Sequence, residues 1–269
     1  VEMRTPIQPR SMLDPTEQNS NCDGDKETAT MPLKVFIYSK DTRNPSVPKN
    51  VRHVKLHPSV KEIRDYAFAE RWSLVEVEFS EGLERIGGAA FHSCQNLKHI
   101  NKLPSTLREI GKAAFHNCRN LDSIEFPEGL QVIDESAFEE CAGLKRVKIP
   151  SAHVVIESHV FAFCESLTSV ELPEGLQVIG ERWFGKCTSL TTVNVPSSVI
   201  EIQDNAFHGC TSLASLDLTE GLQSIGNRSF ANCKSMEFMF LRKMGTGVFC
   251  NCTGLSAITL PDALETIED

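Results

Sequence analysis

Residues 121–143 read LDSIEFPEGLQVIDESAFEECAG, and this pattern recurs along most of the chain. Leu121, Ile124 and Phe126 are separated by polar residues, as in a half-buried strand. Pro127 and Gly129 then turn the chain, and Leu130 and Ile133 form a second short apolar segment. Asp134 follows, where other copies carry Gly87, Gly111 or Gly180. The spacing of three in Ala137-Phe138-x-x-Cys141-x-x-Leu144 predicts a short helical turn with one face inward.

The register holds over the chain. Phenylalanines stand at 68, 91, 115, 138, 161, 184, 207, 230 and 249, in steps of 23, 24, 23, 23, 23, 23, 23 and 19. Cysteine follows three residues later at 94, 118, 141, 164, 187, 210, 233 and 252; only the first copy differs, with Arg71. A further three residues on, the column is Leu, or Met236 in one copy. No single unit could bury its apolar face alone, but stacked units bury it against their neighbours. The pattern predicts a leucine-rich-repeat solenoid of about nine repeats of 23 residues, built of short parallel strands plus short helical turns. Strands one coil apart should pair roughly 4.8 Å from each other.

The consensus AFxxCxxLxxIxLPxxLxxIG resembles the BspA-like, or TpLRR-type, class of leucine-rich repeat over about residues 50–269. The Asn of ordinary leucine-rich repeats is replaced here by Gly82, Gly129, Gly175 or Gly221 in some units, so the usual Asn ladder is missing. The resemblance implies a curved or superhelical interaction surface, often used in adhesion or recognition, and no enzymatic activity.

Outside the repeats, residues 1–31 are polar and aperiodic, with Pro6, Pro9, Pro15 and Gly24, and read as a disordered or linker segment. Residues 32–50 are expected to supply an N-terminal cap strand (Leu33 to Tyr38) and a polar loop. The solenoid is expected over 51–269. Its last residues, LPDALETIED, open another unit and stop before its Phe, which reads as an incomplete C-terminus. A net charge of -9 argues against a general phosphate-binding surface and hence against nucleic acid. No apolar run of 18 residues is present, so no membrane insertion is expected, and no signal-peptide pattern is visible in the first 30 residues.

A longer period underlies the first. Turn segments alternate between forms such as Pro104-Ser-Thr-Leu107 and Pro127-Glu-Gly-Leu130, so the unit is a pair of repeats of about 46 residues. The outward strand position follows: Glu78, Glu125, Glu171 and Asp217 in one class, Lys148, Asn194 and Thr259 in the other. Acidic side chains on every second coil avoid like-charge contact at one-coil spacing.

The cysteines occupy equivalent positions in successive units and form no CxxC pairs, so core packing of unpaired thiols is favoured over disulfides or zinc. Such a column is easier to keep in a reducing, cytoplasmic compartment; a cell surface is the alternative. His92, His116 and His208 fill the column after the Phe and are expected to be solvent-exposed. The usual nucleotide, metalloprotease and hydrolase signatures are absent; no cofactor or metal is expected. The leading reading is a protein-interaction scaffold that binds a protein partner through the exposed strand face. The alternative is a structural or adhesive segment of a cell-surface protein. Candidate contact residues are Glu125, Arg146, Lys148, Glu171 and Asp217 on that face. The shortened unit adds Phe238 and Phe240 in outward columns, followed by Arg242 and Lys243 as a basic, flexible edge.

Overall fold

A regular coil contributes two short strands and one run of turns, and all three stack on their counterparts in the next coil. The computed structural model describes residues 35–39, 47–214, 216, 218, 221–236, 243–244, 246–255 and 266–267. The chain divides into two units, Val1–Pro32 and Leu33–Asp269. All described residues belong to the second, so the expected linker at 1–31 lies outside them.

The first ladder is parallel and runs Val35–Tyr38, His53–Leu56, Glu76–Glu78, His99–Ile100. It resumes as Arg146–Lys148, Ser169–Glu171, Thr192–Asn194. The second ladder runs Glu62–Ile63, Arg85–Ile86, Glu109–Ile110, Val132–Ile133, Val155–Ile156, then Val178–Ile179, Glu201–Ile202, Ser224–Ile225. Lys243–Met244 and Thr266–Ile267 also pair in parallel. Neighbours are one repeat apart, as in Val170 against Val147 and Val193. Alternation is as the sequence dictates: Val147, Val170 and Val193 are buried, while the residues on either side of Val147 and Val193 are exposed.

No α-helix occurs among the described residues, which corrects the expected helical turn at Ala-Phe-x-x-Cys. Residues two before and two after the Phe are left-handed, for example Ser136 (φ 57°) and Glu140 (φ 59°) around Phe138. They interrupt any right-handed run before a four-residue hydrogen bond can close. Instead Ala137, Glu139 and Cys141 donate N–H bonds three residues back, to Asp134, Ser136 and Phe138. The intervening amides of Ser136, Phe138 and Glu140 point along the solenoid axis to the carbonyls of Ser158, Val160 and Ala162, at 2.9–3.0 Å. A left-handed residue costs roughly 1–2 kcal/mol outside glycine, and the axial bonds offset it. A spacing of three is common to a helix and to such consecutive turns.

Phe68 to Phe230 are fully buried and form one column of rings, with Phe68, Phe91 and Phe115 stacked at 5.0 Å centroid separation. The cysteines lie beside them as free thiols. Each Sγ donates to the Phe carbonyl of the preceding coil, from Cys94 to Phe68 (3.0 Å) through Cys233 to Phe207 (3.2 Å). That carbonyl also accepts the backbone N–H three residues on in its own coil, from Arg71 at Phe68 and from the Cys elsewhere, so both lone pairs of a buried oxygen are used. Arg71 breaks the column for a visible reason: its guanidinium donates to the Val47 and Ala69 carbonyls.

Between Val35 and Ile225 each ladder shows one break among the described residues, at different places. The step of 24 between Phe91 and Phe115 inserts one residue at Asn101-Lys102. The Asn101 side chain then stands in for backbone: its Oδ1 accepts the Phe79 N–H (2.7 Å) and its Nδ2 donates to the Phe79 carbonyl (2.9 Å). No backbone hydrogen bond joins residues 98–102 to 122–126, and the first ladder stops there. The second ladder breaks between Val155–Ile156 and Val178–Ile179. Here Trp183 occupies a column that holds Ala67, Ala90, Ala114, Ala137 and Ala206 elsewhere, and its buried indole crowds Gly180.

Candidate functional site

The break in the first ladder opens a groove of about 610 Å³. Its floor is the strand-like segment Ser123–Phe126, and its walls include Lys102, Glu128, Arg146, Lys148 and Glu171. The floor is amphipathic by alternation: Ile124 is buried, whereas Ser123 and Glu125 are exposed. Phe126 packs edge-on against Phe138 at 5.5 Å and reaches Phe161 at 6.4 Å. In a regular coil such as Lys98–Asn101, three amides donate to the preceding coil. The amides of Ser123, Ile124, Glu125 and Phe126 have no backbone partner. One bond remains on the far side, from the Lys145 amide to the Asp122 carbonyl at 3.3 Å.

Four of the residues expected from the sequence therefore come together: Glu125, Arg146, Lys148 and Glu171 all line this groove. Lys148 and Glu171 approach to 3.7 Å, but both are about 70% exposed (72% and 73%), so the pair is a weak constraint. Neither Glu125 nor Arg146 has a charged partner within ion-pair distance among the described residues. The alternation of charge along the axis serves pairing as well as avoidance, since Lys55 meets Glu78 at 2.8 Å in the same columns. Asp217, Phe238, Phe240 and Arg242 lie outside the described residues. Lys243 begins a two-residue strand paired with Thr266–Ile267.

The histidines also differ from expectation. His92, His116 and His208 are half-buried, not exposed, because the turn column packs coil on coil. His92 and His116 stack at 4.9 Å. Burial is the main cause that lowers the His92 pKa, with the charge of His116 adding to it. On this same turn face Arg182, Lys186, His208 and Arg228 line a second groove, a grouping that sequence reading by hydropathy passed over. The signal was present as column positions: Arg182 and Arg228 stand two residues before the Phe, and Lys186 two after it. No group of His, Cys, Asp and Glu among the described residues is arranged to hold a metal ion. No helix among them is long and apolar enough to cross a membrane.

No curated protein sequence matches the chain. Among solved structures, it is similar to a leucine-rich repeat protein from Bacteroides ovatus, with 24% identity and a TM-score of 0.66 over 84% of this chain and 63% of that one. The chain thus spans under two thirds of that neighbour's length. It is also similar to the Treponema pallidum (T. pallidum) leucine-rich repeat protein TpLRR, with 27% identity and a TM-score of 0.49 over 86% and 85%. The first likeness bears on the fold alone, which it shares in its stacked parallel coils. The BspA type leucine rich repeat region matches in six copies over residues 46–166 and 154–269, and with its Phe, Cys and Leu columns in the core, the chain belongs to the BspA-type leucine-rich-repeat family.

Proposed function

We propose that this chain is a non-enzymatic protein-interaction scaffold that receives an extended segment of a partner protein in the groove at Ser123–Phe126. The observation that carries this reading is the interrupted ladder. It leaves strand backbone without partners, beside outward side chains of both signs. Unpaired strand amides and carbonyls are a template for an added strand. Main-chain bonds then supply affinity, while alternate side chains supply specificity. Glu125 and Glu171 would meet basic residues of the segment, and Arg146 and Lys148 acidic ones. From sequence alone, Phe238 and Phe240, with Arg242 and Lys243, are proposed as a second contact, and Asp217 as part of the same face.

The test is selection of peptides from a displayed library against the folded chain, followed by binding to an Arg146→Glu, Lys148→Glu variant. Both positions are exposed, so the variant keeps the fold. Selected peptides should slow amide exchange at Ser123 and Glu125 and lose about tenfold or more in affinity for the variant. Peptides that bind both proteins equally, or that protect other coils, would overturn the groove as the site.

A further inference from the structure

On the function proposed above, we infer that the bound segment does not end in the groove at Ser123–Phe126. It continues over the turn Pro150–Val154 into the break of the second ladder, and the end that lies there is basic. The turn itself is irregular. In the flanking coils the amides of Leu130 and Leu176 close it by donating to Pro127 and Pro173, three residues back. Here His153 stands in the Leu column and is exposed, and Val154 fills the core place one residue late, with its amide on the Ser151 carbonyl. Val154 thereby belongs to the turn, and no residue is left between turn and strand where the flanking coils have Gln131 and Gln177.

The far edge of this coil is consequently unpaired. One coil further on, the amides of Ile200, Glu201 and Gln203 donate to the carbonyls of Gln177 and Ile179. The equivalent amides of Gln177, Val178 and Gly180 have no backbone partner, and the Val154 and Ile156 carbonyls accept nothing from the following coil. Trp183 stands at the same break. Its indole is buried in a column that is Ala in most coils, and its Nε1 has no hydrogen-bond partner. A peptide carbonyl entering the break would supply the acceptor that this donor lacks. Val154, Val178, Gly180 and Trp183 line a third groove, of about 620 Å³, together with Ala152 and Glu174.

The two breaks lie on opposite sides of one coil and meet at its turn. Pro150 lines the first groove and Ala152 the third. Ala152 lies against the next turn, since a Cβ added to the left-handed Gly175 (φ 90°) would come within 3.3 Å of its own. Ser151 and Ala152 are small, so the ridge between the grooves is low. Glu128 and Glu174 hold the same turn position one coil before and one coil after Ser151, about 10 Å apart at the coil spacing. Both are exposed, and neither has an ion-pair partner among the described residues. The first groove has cations beside its carboxylates, whereas no Lys or Arg lines the third and Glu174 does. A segment crossing the turn meets acid at Glu128 and again at Glu174, and Lys or Arg at that end complements both. It needs about ten residues, as the coil itself does from Arg146 to Ile156.

The test takes peptides of about twelve residues, long enough to span both breaks, selected from a displayed library against the full chain. Amide exchange and the indole N–H resonances are read with and without peptide, Trp72 serving as the reference for Trp183. Slowed exchange at Val178 and Gly180 together with Ser123 and Glu125, and a Trp183 resonance that moves while that of Trp72 stays, support the path. Affinity should fall about fivefold or more for Glu174→Lys and little for Glu165→Lys, an exposed acid on the turn face. A footprint confined to Ser123–Phe126, with Glu174→Lys binding like the parent, overturns the path and leaves the first groove as the partner site. A footprint that omits Ser123 and Glu125, or a selection that yields no peptide, overturns both. Equal losses in the two Lys variants overturn the basic end, because the response would then be to net charge alone.

Discussion

At the scale of single residues the chain is governed by one pair, the Phe and the Cys three positions later. The ring fills the coil, and the thiol uses the second lone pair of a buried carbonyl. Phe138 is fully buried, with rings of Phe115 at 5.2 Å and Phe161 at 5.7 Å on either side. Phe138→Ala should destabilise the protein by about 3–5 kcal/mol in chemical unfolding, as for other core aromatics. A loss under about 1 kcal/mol would show that neighbouring rings collapse into the gap. The thiols make a separate prediction. Burial pushes Cys141 and Cys210 up to about 12 from an ordinary 9.0. The folded state then holds these protons more tightly than the unfolded state, so stability falls with pH where only the unfolded thiols ionise. The unfolding midpoint should show no thiol-dependent slope below pH 9 and should fall between pH 9 and about 12. Cys141→Ala should reduce that slope. A midpoint indifferent to alkaline pH, or a variant with the parent's slope, would refute the account. This layer was legible in the sequence because burial repeats with the coil: the Phe, Cys and Leu columns are hydropathy written at one period.

At the scale of elements the sequence was legible in the strands and misleading in the turns. LxxIxF states its faces by alternation. Ala-Phe-x-x-Cys does not state its backbone, because hydropathy at every third position suits both a helix and turns closed over three residues. Most of the left-handed residues that decide the matter, such as Tyr66, Glu70 and Arg182, are not the glycines or asparagines that advertise such a conformation, although Asn117, Asn205 and Gly209 are. Asn101 is a similar case. The step of 24 showed an insertion, but not that a side-chain amide would take over the ladder's bonds to Phe79. The cation groove was hidden for a third reason: Arg182 and Lys186 sit in solvent-facing columns, where single charges carry no signal until coils are stacked. Trp183 and Gly180 give the element-scale prediction. A Cβ at residue 180 would run into the Trp183 indole nitrogen. Gly180→Ala should cost about 1–3 kcal/mol in the parent, as overpacking does. In a Trp183→Ala background, where the column regains the Ala of most other coils, it should cost less than about 0.5 kcal/mol. Additive effects in that double-mutant cycle would mean that the indole is not what makes glycine necessary there.

At the scale of the whole solenoid, stability is a sum over interfaces between successive coils, since each coil touches only its neighbours. A regular interface holds two strand ladders, the axial bonds of the turn run and a ring contact. The interfaces flanking Ser123–Phe126 lack the first ladder, and the one between Val155–Ile156 and Val178–Ile179 lacks the second. The turn bonds are unbroken across both, from Ser136 to Ser158 and from His159 to Glu181. The ring column continues too, although its spacing widens from 5.0 Å at Phe68–Phe91 to 6.0 Å at Phe161–Phe184. Because the two breaks fall at different coils, no interface among the described coils up to Ser224–Ile225 loses both ladders, and the column stays continuous there while two places along it are weakened. One of these is the groove proposed for the partner, so unpaired backbone coincides there with weakened coil-to-coil coupling. Local opening should follow the same map. In native-state hydrogen exchange with guanidinium below the unfolding midpoint, the amides should lose protection in blocks. Boundaries should fall between residues 101 and 145 and between 156 and 178, while the amides of Phe91 and Phe207, which donate to Ala114 and Ser229, exchange only with their whole blocks. Loss of protection in one step along the entire chain would show that the turn run and the rings alone hold the coils as a single cooperative unit, and that neither break weakens it.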